Sequence, residues 1–190
     1  MDHKGWHSRG YFPHLDAPGE LQSITFRLND AVPKTVVDRW RRELSHEPAS
    51  ERERKLKTLV ARFEDSGYGS CLLRKDPHAN AIQESLFHAD GMRYRLLEWC
   101  VMPNHVHVLI QSKEGMPLGE IVRTWKTYTA KVINAGEGTK GSIWEADYYD
   151  RCIRDLDHLE NARLYIRKNP VKAGLCLSPE AWRWSSAFQG

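Results

Sequence analysis

Two histidines one residue apart in an apolar run, His105-Val106-His107-Val108-Leu109-Ile110, are the side chains best placed to build a metal site. In an extended strand, residues i and i+2 point to the same face. Both imidazoles then project together within reach of one ion, while Val106, Val108 and Ile110 turn the other way into a core. Alone, the pair reads more readily as two surface imidazoles on a sheet. A second group bears on that choice. In Tyr165-Ile166-Arg167-Lys168-Asn169 the tyrosine and the asparagine are four apart, which places them on one helix face. An amide oxygen beside two imidazoles makes a donor set that suits Mg2+ or Mn2+, with the nitrogens favouring Mn2+. Tyr165 lies at the edge of the apolar stripe Leu159, Ala162 and Ile166, where it can face a cleft or simply pack at a core margin.

These side chains need a scaffold, and the hydrophobic pattern supplies one. Residues 21–28 alternate as a strand. Pro33 sits near the first turn of a helix reaching about residue 44, and residues 51–64 form a charged helix whose Leu56, Leu59, Val60 and Phe63 share a face. Its charges read as a solvated surface. A short helix follows at 79–89. The clearest pair of strands is 94–101 and 105–111, joined through Met102-Pro103-Asn104. A long helix spans 117–134 and ends in the glycine-rich run AGEGTKG. The last helix spans 155–168, with Asp155 or Asp157 as cap, and Pro170 is expected to stop it. Strands interleaved with helices around an antiparallel pair predict an α+β sandwich in which helices cover one face of the sheet and the other is left for a site. The division is an arm at 1–20, a domain at 21–170 and a tail at 171–190 packing back through Trp182 and Trp184.

The run WCVMPNHVHVLI resembles the histidine–hydrophobic–histidine motif of the single-tyrosine HUH transposases, and YIRKNPVKAGL resembles their tyrosine helix. GWHSRGYFPHLDAPGELQSITFRL, WKTYTAKVIN and IWEADYYDRCIRD are similar to the branch called REP-associated tyrosine transposases. The motifs occur in that family's order. The resemblance implies a ferredoxin-like antiparallel sheet, the HUH nuclease fold. It implies a single-stranded DNA substrate with a palindromic hairpin, cut through a 5′-phosphotyrosine that leaves a free 3′-OH. His105 and His107 become metal ligands, Tyr165 the nucleophile and Asn169 the third ligand, where the wider family often has a glutamine. The branch implies a monomer, with a dimer as the alternative known among related insertion-sequence enzymes.

The chemistry agrees with the residue types. A phosphodiester resists attack because it is anionic, and a divalent ion offsets that charge. A phenol with a free pKa near 10 needs a cation or base beside it to act as a nucleophile. Tyr128 in WKTYTAK competes for the role, but Ile121, Val122, Trp125, Tyr128 and Val132 follow the spacing of a buried stripe, so Tyr128 is expected in the core. Tyr148 and Tyr149 would face opposite sides of a strand, so at most one could reach the site. Lys126, Arg154 and Lys168 are the candidate phosphate contacts of the domain. Lys4, Trp6, His7 and Arg9 of the arm mix cations with an aromatic, which suits stacking on unpaired bases.

The remaining composition bounds these readings without adding to them. The chain has 190 residues, 41% hydrophobic and 28% charged, with a formal net charge of +3. That balance permits a nucleic-acid partner and does not demand one. Cys71, Cys100, Cys152 and Cys176 are too scattered for a zinc ribbon or a redox pair and suggest a reducing compartment. With no apolar leader and no membrane-length apolar run, a cytoplasmic protein is expected. Three rival readings remain: a domesticated protein that binds hairpins without cutting, a hydrolase whose metal activates water, and a structural ferredoxin-like module.

Overall fold

Alternating burial along residues 21–27 sets the pattern of the whole molecule: Gln22, Ile24 and Phe26 are buried to one side, and Ser23, Thr25 and Arg27 face the other. The computed structural model describes residues 5–8 and 13–189. β1 (Gly5–Ser8) and β2 (Pro13–Asp16) pair antiparallel as a small sheet within the segment expected to be an irregular arm. β3 (Leu21–Arg27) is followed by α1 (Lys34–Glu43) and α2 (Ala49–Asp65), and then by α3 (Asp76–His88). β4 (Tyr94–Val101) and β5 (His105–Ser112) lead to α4 (Leu118–Glu137), β6 (Tyr149–Cys152) and α5 (Leu156–Lys172).

The four long strands form one antiparallel sheet in the order β4-β5-β3-β6. With α3 and α4 as crossovers this is the β-α-β-β-α-β arrangement of a ferredoxin-like fold, and α1 and α2 are an insertion between its first strand and first helix. Val106, Val108 and Ile110 pack with Ile24 and Phe26 against Ile82 of α3 and Trp125 of α4. The other face is not left bare. Cys100, Leu109 and Ile166 bring α5 onto it, and α1 and α2 form a satellite core of their own around Trp40 and Val60. The tail runs along the edge strand β4, with Val101 N donating to Trp184 O at 2.8 Å and Ser186 N to Trp99 O at 3.0 Å. That pairing occupies an edge that would otherwise be free to template association.

Two local expectations fail for identifiable reasons. Pro170 does not end α5, which continues to Lys172. Proline removes one helical hydrogen bond, but here it lies in the last turns with Ile166, Asn169 and Pro170 all buried, and Ala173 N still donates to Asn169 O at 2.9 Å. Tyr128 is 45% exposed rather than in the core. The buried stripe of α4 runs Leu118, Ile121, Val122, Trp125, Thr129, Ile133, because Thr129 is held inside by hydrogen bonds to Trp125 O and from Trp144 Nε1. All four cysteines are unpaired. Among the described residues no helix is long and apolar enough to cross a membrane.

Candidate active site

Sheet register gathers one polar face. Thr25 lies opposite His107 and Arg27 opposite His105 across β3 and β5, while Tyr149 lies opposite Thr25 and Arg151 opposite Ser23 across β3 and β6. Directly opposed residues share a face, so these side chains and the two imidazoles stand together. Ser23, Thr25, Arg27, His107, Tyr149 and Arg151 floor a cleft of about 410 Å³, also lined by Lys57, Val60 and Glu64 of α2, by Tyr148, and by Ala162 and Tyr165 of α5; His105 adjoins His107 outside that lining. Tyr148 and Tyr149 thus both line the cleft, because Tyr148 precedes the strand and escapes its alternation.

His105 and His107 are both buried, and their Nε2 atoms lie 3.0 Å apart. Hydrogen bonds behind each ring set which nitrogen faces the site. Asn104 donates its amide to Glu64 O at 3.1 Å and Tyr68 O at 2.9 Å, so its Oδ1 is left to accept from His105 Nδ1 at 2.7 Å. His105 therefore keeps a bare Nε2. His107 Nδ1 lies 2.9 Å from Thr25 Oγ1. Burial drives the pKa of His107 down to about 3 and that of His105 well below the usual imidazole range, helped by the neighbouring Lys172 and His107 respectively. Both rings are neutral and able to offer a lone pair.

Asn169, 1% exposed, reaches the pair from α5, its amide 3.1 Å from His107 Nε2 and its Oδ1 buried without a partner. It does so from the helix face it shares with Tyr165, not from a helix end. The Tyr165 ring meets His107 edge to face at 5.3 Å, and Asn169 hydrogen-bonds its hydroxyl. Burial, then the charges of Asp65 and Glu64, push the Tyr165 phenol above its ordinary value, against the pull of Asn169.

This donor set fits a divalent cation. Neighbouring corners of an octahedron with bonds of about 2.1 Å are about 3.0 Å apart, which matches the separation of the two Nε2 atoms. A half-turn of the Asn169 amide would bring its orphaned oxygen into the same space. Among the described residues no three His, Cys, Asp or Glu side chains are gathered tightly enough to hold an ion by themselves, so the site relies on the asparagine or on a carboxylate that shifts inward.

Of the proposed phosphate contacts, Lys168 and Arg154 are exposed and outside the cleft lining. Lys126 is spent elsewhere: its ammonium donates to the carbonyls of Glu145 at 2.5 Å and Ala146 at 2.9 Å, and burial draws its pKa down to about 8. Lys4 and Arg9 lie outside the described residues, and Trp6 falls in β1. The cations that do line the cleft are Arg27, Lys57 and Arg151. Arg27 was missed, although the alternation of β3 is the signal that could have placed it on this face. Nothing local marked Lys57 or the acidic end of α2 at Glu64 and Asp65.

The fold and this cleft define a ferredoxin-like sheet with a polar, cation-lined face, and sequence comparison gives the family. A profile described as Transposase IS200 like matches residues 73–169, from the residues before α3 to Asn169. The chain belongs to this family. A Haemophilus influenzae protein named as a REP-associated tyrosine transposase is 29% identical over 97 residues, covering 46% of this chain and 55% of that protein; the chain thus spans about half the length of this relative. The solved structure of a REP-associated tyrosine transposase bound to a REP hairpin superposes with a TM-score of 0.56 at 18% identity, covering 92% of this chain and 81% of the other. The shared fold is the ferredoxin-like sheet with its helices.

Proposed function

We propose that this protein is a metal-dependent endonuclease and strand transferase for single-stranded DNA, acting at REP-like hairpins in the cytoplasm through a 5′-phosphotyrosine intermediate. The observation that supports it most is the convergence of two neutral imidazoles, an amide and a tyrosine at one end of a cleft with cations along it. Mg2+ or Mn2+ at His105, His107 and Asn169 would neutralise charge on the scissile phosphate and orient the bond.

The protein's own groups then divide the work. Tyr165 is carried on the rigid helix α5, its ring set edge to face against His107, so its oxygen is positioned before substrate arrives. Its attack forms the tyrosine–phosphorus bond as the bond to the 3′ oxygen breaks, and the leaving oxygen takes up a proton as the free 3′-OH. The tyrosine proton must depart first. Burial and the charges of Asp65 and Glu64 hold it on, so the phenol stays protonated until positive charge enters the site. The cations lining the cleft suit a DNA backbone. A monomer holds every group named here on one chain. Covalent trapping on a labelled hairpin oligonucleotide, with Tyr165→Phe alongside, tests the reading; binding without an adduct would favour a non-cutting hairpin binder.

A further inference from the structure

Helix α2 ends against the two histidines, and its last residue is Asp65. Its approach is fixed from two sides. Glu64 is buried and paired with Arg27 at 3.0 Å, and the Glu64 carbonyl accepts from Asn104, the residue that orients His105. Asp65 Oδ2 meets Lys172 Nζ at 3.1 Å. Its Oδ1 is buried, has no hydrogen-bond partner and sits 3.9 Å from His105 Nε2.

A carboxylate near an imidazole is ordinarily hydrogen-bonded to it, but Asp65 Oδ1 is not. The amide of Asn104 is committed to two carbonyls, so its oxygen takes the Nδ1 proton of His105 and leaves Nε2 with none to donate. The atoms facing each other are a bare nitrogen and an unpartnered carboxylate oxygen. Buried acceptors left without donors are costly. Two of them facing one space suit a cation. Neighbouring donors on one octahedral ion lie about 3.0 Å apart, so the Asp65 oxygen, 3.9 Å from His105 Nε2, would shift inward to join the same ion.

Building on the divalent-cation reading above, we propose that Asp65 supplies a carboxylate donor to the cation held by His105 and His107, so that the insertion formed by α1 and α2 completes the site. A hard carboxylate oxygen is the donor that Mg2+ and Mn2+ prefer.

Mn2+ alone is the probe. Its binding to the full chain, without DNA, is measured by calorimetry and by electron paramagnetic resonance for wild type, Asp65→Asn and Lys172→Met. Asp65→Asn keeps the shape and removes the charge. It is expected to fold without metal, since the amide oxygen can still accept from Lys172 and the unpartnered buried oxygen loses its charge, yet to bind Mn2+ roughly tenfold to hundredfold more weakly. Lys172→Met frees the carboxylate and should bind Mn2+ at least as tightly as wild type. If Asp65 merely anchors Lys172, Asp65→Asn will bind Mn2+ like wild type and the proposal falls. Should Asp65→Asn fail to fold, weaker Mn2+ binding by Lys172→Met overturns it in its place. A wild type that binds no Mn2+ at millimolar concentration contradicts both this proposal and the metal reading, whereas normal binding by Asp65→Asn removes only the role of Asp65.

Discussion

Asn104 accepts the Nδ1 proton of His105 at 2.7 Å while its amide holds the end of α2 through Glu64 O and Tyr68 O. One buried side chain therefore sets which nitrogen of His105 faces the site and ties the inserted helices to β5. Asn104→Ala leaves two carbonyls and an imidazole N–H unpaired. It should cost about 2–3 kcal/mol and weaken Mn2+ binding by roughly tenfold or more, read by chemical denaturation and calorimetry on the same preparation. Unchanged Mn2+ affinity in the folded variant would show that the tautomer is set by something else.

His14 is fully buried between two carboxylates, with Nε2 3.0 Å from Asp147 Oδ1 and Nδ1 against Asp150 Oδ1. Burial opposes its charge, but the hydrogen bonds and charges of Asp147 and Asp150 outweigh it and raise the pKa to about 9. A raised histidine pKa stabilises the fold fully below the unfolded value of about 6.5 and loses that contribution as pH rises through 9. Stability should fall by about 1.4 kcal/mol per pH unit across that window. His14→Gln should flatten this slope. A wild-type melting temperature that does not drop between pH 6.5 and 9.5 would contradict the assignment.

Glu98, buried beside the β-bulge of β4, accepts two hydrogen bonds from Arg167 at 3.0 and 2.7 Å and lies 3.6 Å from Arg163. This clamp holds the middle of α5 between Tyr165 and Asn169. Arg167→Ala strands a buried charge, which costs up to about 3–5 kcal/mol when nothing replaces the partner and less here because Arg163 remains. Glu98→Gln leaves two partly exposed arginines, which water can solvate, and should cost less. Denaturation of the two variants decides the order; a milder Arg167→Ala would mean that Arg163 carries the clamp.

Lys57 and Arg151 line the cleft, whereas Lys126 is committed to the 145–146 carbonyls. Lys57→Ala and Arg151→Ala should each weaken hairpin binding and reduce its salt slope by about one phosphate contact. Lys126→Ala should lower the melting temperature and leave that slope unchanged. Fluorescence anisotropy over a salt series separates the two behaviours, and a reduced slope for Lys126→Ala would return it to the DNA surface.

The parts of the site that local spacing controls were legible in the sequence. Alternation put His105 and His107 on one face with the valines opposite, and a spacing of four put Tyr165 and Asn169 together. Local spacing says which face a side chain shares but not what that face meets. The charges of α2 read as solvated, and most are, yet Glu64 and Asp65 end the helix against a strand some forty residues away in sequence. Tyr128 fits a helical stripe as well as Thr129 does, and only Trp144, from a distant loop, selects Thr129. The Pro170 expectation failed for the same reason, since burial against the sheet outweighs the hydrogen bond that proline removes.

The central claim is that Tyr165 becomes joined to DNA. Purified protein would be mixed with a labelled single-stranded hairpin oligonucleotide and Mg2+ or Mn2+, then resolved on a denaturing gel beside Tyr165→Phe and a chelated control. A covalent protein–DNA band is expected, with a released strand ending in a 3′-OH, that needs metal and is absent from Tyr165→Phe. Cutting that survives Tyr165→Phe, or hairpin binding with no adduct across a panel of hairpins, would contradict it.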